Sequence, residues 1–169
     1  MQYIILIVVL GLFLHATYVL VDHFKGFGYT IKYKVKDLSQ QQKKDIVTNI
    51  IEDLSQQTNM KKPKYMIGSI KGQEDGTIGL FDPASETIFI DTDGMSDQPI
   101  LQLFTTTAHE FKHYYDWNKL RIKSKSLNKA IDFWNENTDY FEALASKYGD
   151  NNGFRIYNQW VRTKPQISI

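Results

Sequence analysis

The residues best suited to chemistry lie together in the segment His109-Glu110-Phe111-Lys112-His113. Histidines spaced four residues apart project from the same face of a helix, one turn from each other, so both imidazoles can bind one metal ion. Glu110 follows the first histidine, where its carboxylate can take a proton from a water molecule that the metal activates. The pattern His-Glu-x-x-His therefore predicts a pair of zinc ligands and a general base.

The composition limits which residue can complete the site, because a catalytic zinc ion usually has three protein ligands. The chain contains no cysteine, no histidine follows His113, and the remaining two histidines lie in or beside an apolar N-terminal segment. We therefore expect an acidic third ligand and choose Glu142, since small alanines next to it would let a second helix pack closely around the acid. Glu136 and Asp139 are the alternatives.

Other side chains near the motif are candidates for supporting roles. Asp116 and Asp139 could each accept a hydrogen bond from a ligand histidine and so hold its ring in place. A tyrosine could stabilise the oxyanion that forms during hydrolysis of a carbonyl group. Tyr140, two residues before the proposed third ligand, is preferred for this task over Tyr114 and Tyr115.

Hydrophobic periodicity along the chain predicts the elements that position these residues. Short polar turns between three apolar runs favour an antiparallel sheet, and its last strand is expected to be an edge that aligns an extended peptide. We predict helices at 39–57, 98–120, 126–134 and 138–147, strands at 65–70, 77–81 and 87–91, a break at 149–153 and a last short helix at 154–164.

The motif helix, followed by Glu142-Ala143-Leu144-Ala145, resembles the gluzincin zinc peptidases. Over about residues 40–150 the order of elements is similar to the minimal domain of the ImmA/IrrE-like peptidases, which are common in phages and mobile elements. The resemblance implies an α+β zincin domain with one helix, a three-stranded antiparallel sheet, the motif helix and a Glu-bearing helix. Many gluzincins place an aspartate four residues after that glutamate, where this chain has Ser146.

The first 21 residues carry no charged side chain, and residues 3–21 are nearly all apolar. About 20 such residues cross a bilayer core of about 30 Å. No basic stretch precedes the apolar run, so we predict an uncleaved transmembrane helix rather than a signal peptide. Residues 22–36 are expected to form a connector and 37–169 the metallopeptidase domain, placed in the cytoplasm because lysines follow the span.

The chain of 169 residues is long enough for one domain of ordinary size, and a net charge of +1 argues against nucleic acid as a partner. The expected function is a single-pass, membrane-anchored zinc peptidase that hydrolyses peptide or protein substrates. One alternative is a membrane-anchored module that binds metal without turnover. Another is a small structural membrane protein in which the motif arose by chance.

Overall fold

The computed structural model describes residues 33–70, 76–124 and 126–163. A short 3-10 helix at Val35–Asp37 precedes four α-helices and three β-strands. In chain order the elements are α1 (Gln40–Thr58), β1 (Lys64–Ile67), β2 (Gly79–Asp82), β3 (Thr87–Ile90), α2 (Ile100–Lys123), α3 (Leu127–Glu136) and α4 (Thr138–Thr163).

Helix α1 confirms the predicted amphipathic helix near the start of the domain. Its first turn is capped reciprocally, because the Ser39 hydroxyl accepts from the Gln42 N–H at 3.2 Å and the Gln42 side chain accepts from the Ser39 N–H at 2.7 Å. Asn59 ends the helix in the left-handed conformation, with φ of 51°. The predicted apolar stripe is buried in the core and consists of Ile46, Val47, Ile50, Ile51 and Leu54.

The sheet is mixed, so the prediction of an antiparallel sheet is wrong. Its strand order is β1-β3-β2, with β3 parallel to β1 and antiparallel to β2. Residues 68–78 separate β1 from β2 in the sequence, which is more than a tight hairpin connection requires. Strand β3 takes the centre, and Ile88 and Ile90, which share one of its faces, are each 0% exposed.

Helix α4 runs without interruption through the glycines that were expected to break it. Gly149 and Gly153 lie against α2, where a Cβ atom would stand 2.8 Å from the Thr105 carbonyl oxygen and 2.6 Å from the Thr105 Cα atom, respectively. Glycine lowers helix propensity by about 1 kcal/mol relative to alanine. Close packing against α2 offsets that preference, so the predicted break at 149–153 and the separate helix at 154–164 are wrong.

Within the described ranges, none of the helices is both long enough and apolar enough to span a membrane. Helices α1 and α4 each have one face in the core and the other in solvent, whereas α2 is enclosed from Ile100 to Asn118 and carries several polar side chains there. The predicted span at 1–21, its lipid contact through residues 3–21 and most of the connector at 22–36 lie outside the described residues. On this finding, the prediction of a transmembrane element in the fold is wrong. The predicted single-pass membrane location with a cytoplasmic domain is wrong for the same reason.

The contact between α2 and α4 predicts that Gly153→Ala destabilises the fold although alanine favours helices. The new methyl group would meet backbone atoms that cannot rotate away, so we expect a net loss of at least about 1 kcal/mol in the free energy of unfolding, as for an overpacked core. Chemical denaturation measures it, with Asn151→Ala on the exposed side of α4 as the control. A stabilised Gly153→Ala variant would contradict the close packing.

Candidate metal centre

Helix α2 fixes the motif because its apolar face is anchored in the core. Phe104, Ala108 and Phe111 are almost completely buried. The motif residues therefore project from α2 toward the sheet and toward α4. The side chains of Glu110 and His113 are each 7% exposed, whereas that of His109 is 22% exposed.

The two histidines meet Glu142 of α4 at one point. The Nε2 atoms of His109 and His113 are 3.0 Å apart. One carboxylate oxygen of Glu142 lies 3.2 Å from Nε2 of His109, and the other lies 3.1 Å from Nε2 of His113. Three side chains from two helices thus direct their donor atoms at a common position.

The small residues of α4 explain how Glu142 reaches this position. Glu142, Ala145, Gly149 and Gly153 are separated by three, four and four residues, which places them on one face of the helix. Both glycines and the alanine are buried. A Cβ atom at Gly149 would lie 3.0 Å from the Cβ atom of His109. The face that packs on α2 therefore carries the glutamate to the histidines.

Glu110 lies apart from these donors, against strand β2. The Phe81 backbone N–H donates a hydrogen bond to its carboxylate. A Cβ atom at Gly79 would stand only 2.6 Å from Oε1 of Glu110, so the absent side chain makes room for this carboxylate. The same oxygen is 4.0 Å from Nε2 of His109. Glu110 therefore borders the metal position and faces the strand.

Burial controls the protonation of the two most enclosed groups in the centre. It raises the pKa of Glu110 to about 8, and the nearby charge of Glu142 acts in the same direction while the Phe81 N–H opposes both. Burial also lowers the pKa of His113 to about 3, with smaller contributions from His109 and Lys112. His113 is therefore a neutral imidazole at pH 7 and can bind a metal ion without first losing a proton.

These residues fit a divalent metal ion. His109, Glu110 and His113 form a group that could hold a metal, with donor atoms within 4.8 Å of one another. Of the two acids, Glu142 lies nearer to His109, at 3.2 Å against 4.0 Å for Glu110. Both Glu142 oxygens can face a shared ion, so the geometry favours Glu142 over Glu110 as the third ligand.

The predicted supporting acids do not meet the ligand histidines. Asp116 forms an ion pair with Lys112. Asp139 is exposed in the first turn of α4. Nδ1 of His113 is buried and has no hydrogen-bond partner among the residues that the structure describes. On its Nδ1 side, the ring of His113 is therefore held by packing rather than by a carboxylate.

The predicted tyrosines also lie away from the centre. Tyr140 is 61% exposed, and its ring contacts Phe141. The Tyr114 hydroxyl donates to the Lys61 carbonyl at 2.7 Å. The ring of Tyr115 faces the ammonium groups of nearby lysines. The alternative ligand Glu136 is exposed at the end of α3.

Trp134 is a residue of the centre that the sequence pattern did not single out. Its ring is edge-on to His113, with centroids 5.7 Å apart, and stacks on Phe141 with centroids 4.3 Å apart. The spacing along α3 indicates an apolar face and nothing more specific. The same holds for Gly79 and Phe81, whose proximity to Glu110 depends on the order of strands in the sheet.

A cleft follows β2 on both sides of Glu110. Its two cavities have volumes of about 250 Å³ and about 300 Å³. Both are lined by Gly79, His109 and Glu110, so they meet at the metal position. The first is completed by Leu80, Phe81, His113, Trp134 and Glu142. The second is completed by Ile78, Gln102, Thr105, Thr106, Ser146, Gly149 and Asp150.

The fold and the site define an α+β protein with a candidate metal centre in an open cleft. Comparison of the chain with protein-family models, with curated proteins and with solved structures finds no match. Any assignment of chemistry to this chain therefore rests on the geometry of the centre.

The geometry predicts that removal of Glu142 weakens metal binding as a ligand loss does. Co²⁺ is a suitable probe because its visible spectrum reports imidazole and carboxylate ligands. We expect one equivalent to bind the wild-type chain and His113→Ala to abolish binding. A residue that only supports a ligand typically changes the metal affinity by roughly 10- to 100-fold when it is substituted. Glu142→Gln should lower the Co²⁺ affinity by more than that.

Glu136→Gln is the matched control, since Glu136 is exposed on the neighbouring helix. It should bind Co²⁺ like the wild type. Equal affinity of Glu142→Gln and Glu136→Gln would contradict the assignment of Glu142.

Proposed function

We propose that this chain is a zinc-dependent peptidase of the gluzincin type that hydrolyses peptide bonds. The convergence of His109, His113 and Glu142 beside the buried carboxylate of Glu110 carries this proposal. An open cleft runs through the same point, so an extended substrate can reach it.

His109, His113 and Glu142 would hold the ion. Two imidazole nitrogens favour zinc over magnesium or calcium, which prefer oxygen ligands. When bound, zinc would supply Lewis-acid polarisation of the scissile carbonyl and lower the pKa of water.

Glu110 performs the proton transfers in this proposal. Its carboxylate takes a proton from the attacking water and then donates that proton to the nitrogen of the leaving amine. The carboxylate packs beside Gly79, and the hydrogen bond from the Phe81 N–H fixes its orientation. A neighbouring cation would lower the raised pKa of Glu110 toward the range where it accepts a proton at neutral pH.

The substrate would lie along the edge of β2. The predicted edge at 87–91 is instead the central strand β3, and β2 borders the cleft. The backbone N–H of Phe81 points away from β3 and donates to Glu110. Gly79 lies two residues earlier in the strand, so its backbone groups point to the same side. The N–H and C=O groups of Gly79 therefore face the cleft, where a peptide backbone can pair with them by strand addition.

A module that binds metal without turnover would use the same ligands. Glu110 distinguishes the two functions, because a structural ion needs no acid beside it. Burial of an ionisable carboxylate is unfavourable unless it is compensated. The 7% exposure of the Glu110 side chain at the metal position therefore favours catalysis.

The assignment of Glu110 predicts that Glu110→Gln keeps the metal and loses hydrolysis. General acid–base catalysis contributes about 10²- to 10⁴-fold, so kcat/KM for a denatured protein substrate should fall by at least about 100-fold. Zinc content by mass spectrometry, measured on the same sample, should remain near one equivalent.

Glu136→Gln again serves as the control and should retain full activity. A zinc-loaded wild-type chain without hydrolytic activity would contradict the peptidase proposal. Hydrolysis by Glu110→Gln at the wild-type rate would contradict the role of Glu110.

A further inference from the structure

The two cavities that meet at Glu110 differ in chemistry. The smaller cavity has an apolar wall formed by Leu80, Phe81 and Trp134. The larger cavity is lined mainly by polar side chains, and beyond the motif its one charged lining residue is Asp150. A peptide that crosses the centre would therefore place the residues flanking the scissile bond in unlike surroundings.

The position of Asp150 makes it a wall of the cleft. It follows Gly149, which lies against His109, so its backbone is one residue away from a helix contact at the metal centre. Asp150 also lines an adjoining cavity of about 370 Å³, together with Leu101, Thr105, Asn151 and Phe154. The polar cavity thus continues past the carboxylate onto two apolar side chains.

Asp150 is exposed on α4, so its carboxylate is open to solvent and to any substrate in the cleft. It lies in the middle of α4, so it neither caps the helix nor interacts with a helix terminus. Within the described ranges it forms no ion pair, and neither cavity that it lines includes a lysine or arginine. A cationic side chain of a substrate bound in the cleft would pair with this carboxylate.

We propose that Asp150 selects peptide substrates with lysine or arginine next to the scissile bond. This inference rests on the proposed peptidase function. Such a residue can extend from the metal position along the polar cavity until its charged end meets the Asp150 carboxylate. A glutamate at the same substrate position would be repelled by Asp150.

Cleavage-site profiling of the full, zinc-loaded chain on a peptide library tests the proposal. Lysine and arginine should be enriched about two- to fivefold at one position flanking the cut, the range expected for a partly exposed ion pair. Asp150→Asn should remove the enrichment, and Asp150→Lys should shift it to acidic residues. Asp132→Asn, which changes an exposed acid on α3 that lines neither cavity, should retain the wild-type profile.

A binding measurement on the metal-free chain separates this inference from the peptidase function. Labelled Ala/Ser nonapeptides with a central Lys, Met or Glu are titrated by fluorescence anisotropy, where no turnover occurs. The Lys peptide should bind about two- to fivefold more tightly than the Met peptide at low salt, and the contrast should shrink as salt is added.

Each outcome bears on one of the two claims. Cleavage without a basic preference, or with a preference that Asp150→Asn leaves unchanged, overturns the selection by Asp150 and leaves the peptidase function intact. If the zinc-loaded chain cleaves nothing, the peptidase function fails, and equal binding of the Lys and Met peptides then overturns the selection as well.

Discussion

The distance between α2 and α4 determines whether a metal centre can form in this chain. Gly149 and Gly153 allow the backbone of α4 to lie against Thr105, where a methyl group at either position would meet heavy atoms at 2.8 and 2.6 Å. Glu142 lies on the same face, two turns before Gly149, so this contact sets its reach. A helix displaced by about 1 Å would loosen the site that the carboxylate forms with two ring nitrogens. The helix contact and the ligand set are therefore a single structural feature.

Strand β2 imposes a second constraint, on Glu110, the buried acid beside the proposed ligands. Glu110 is buried at a strand that contributes one N–H and, at Gly79, the absence of a side chain. An enclosed carboxylate is unfavourable for folding, and such arrangements concentrate where chemistry requires them. The N–H and C=O groups of Gly79 in the same strand face the cleft. In the proposed function, this four-residue strand holds the general base and also offers the substrate an edge.

The sequence predicted the parts of this structure that depend on local pattern. The spacing of His109 and His113 predicted their convergence, and the lack of cysteine or a later histidine pointed to Glu142, which lies at both rings. Strand order was not predictable, because it depends on how deeply the apolar run at 87–90 is buried in the folded chain. The glycines of α4 have low helix propensity, and only the partner helix shows why they remain helical. The apolar pattern at 1–21 predicted a membrane span. That segment lies outside the described residues, and no described helix is long and apolar enough to be one.

The central claim is that two histidines of α2 and one glutamate of α4 hold a zinc ion beside a free Glu110. A crystal structure of the zinc-loaded chain, with anomalous differences measured at the zinc absorption edge, tests it most directly. One peak should lie about 2.0–2.2 Å from Nε2 of His109, Nε2 of His113 and a carboxylate oxygen of Glu142, the usual zinc–ligand distances. Glu110 should stay outside bonding distance, against β2. A peak elsewhere, or one bound by Glu110 in place of Glu142, would contradict this account.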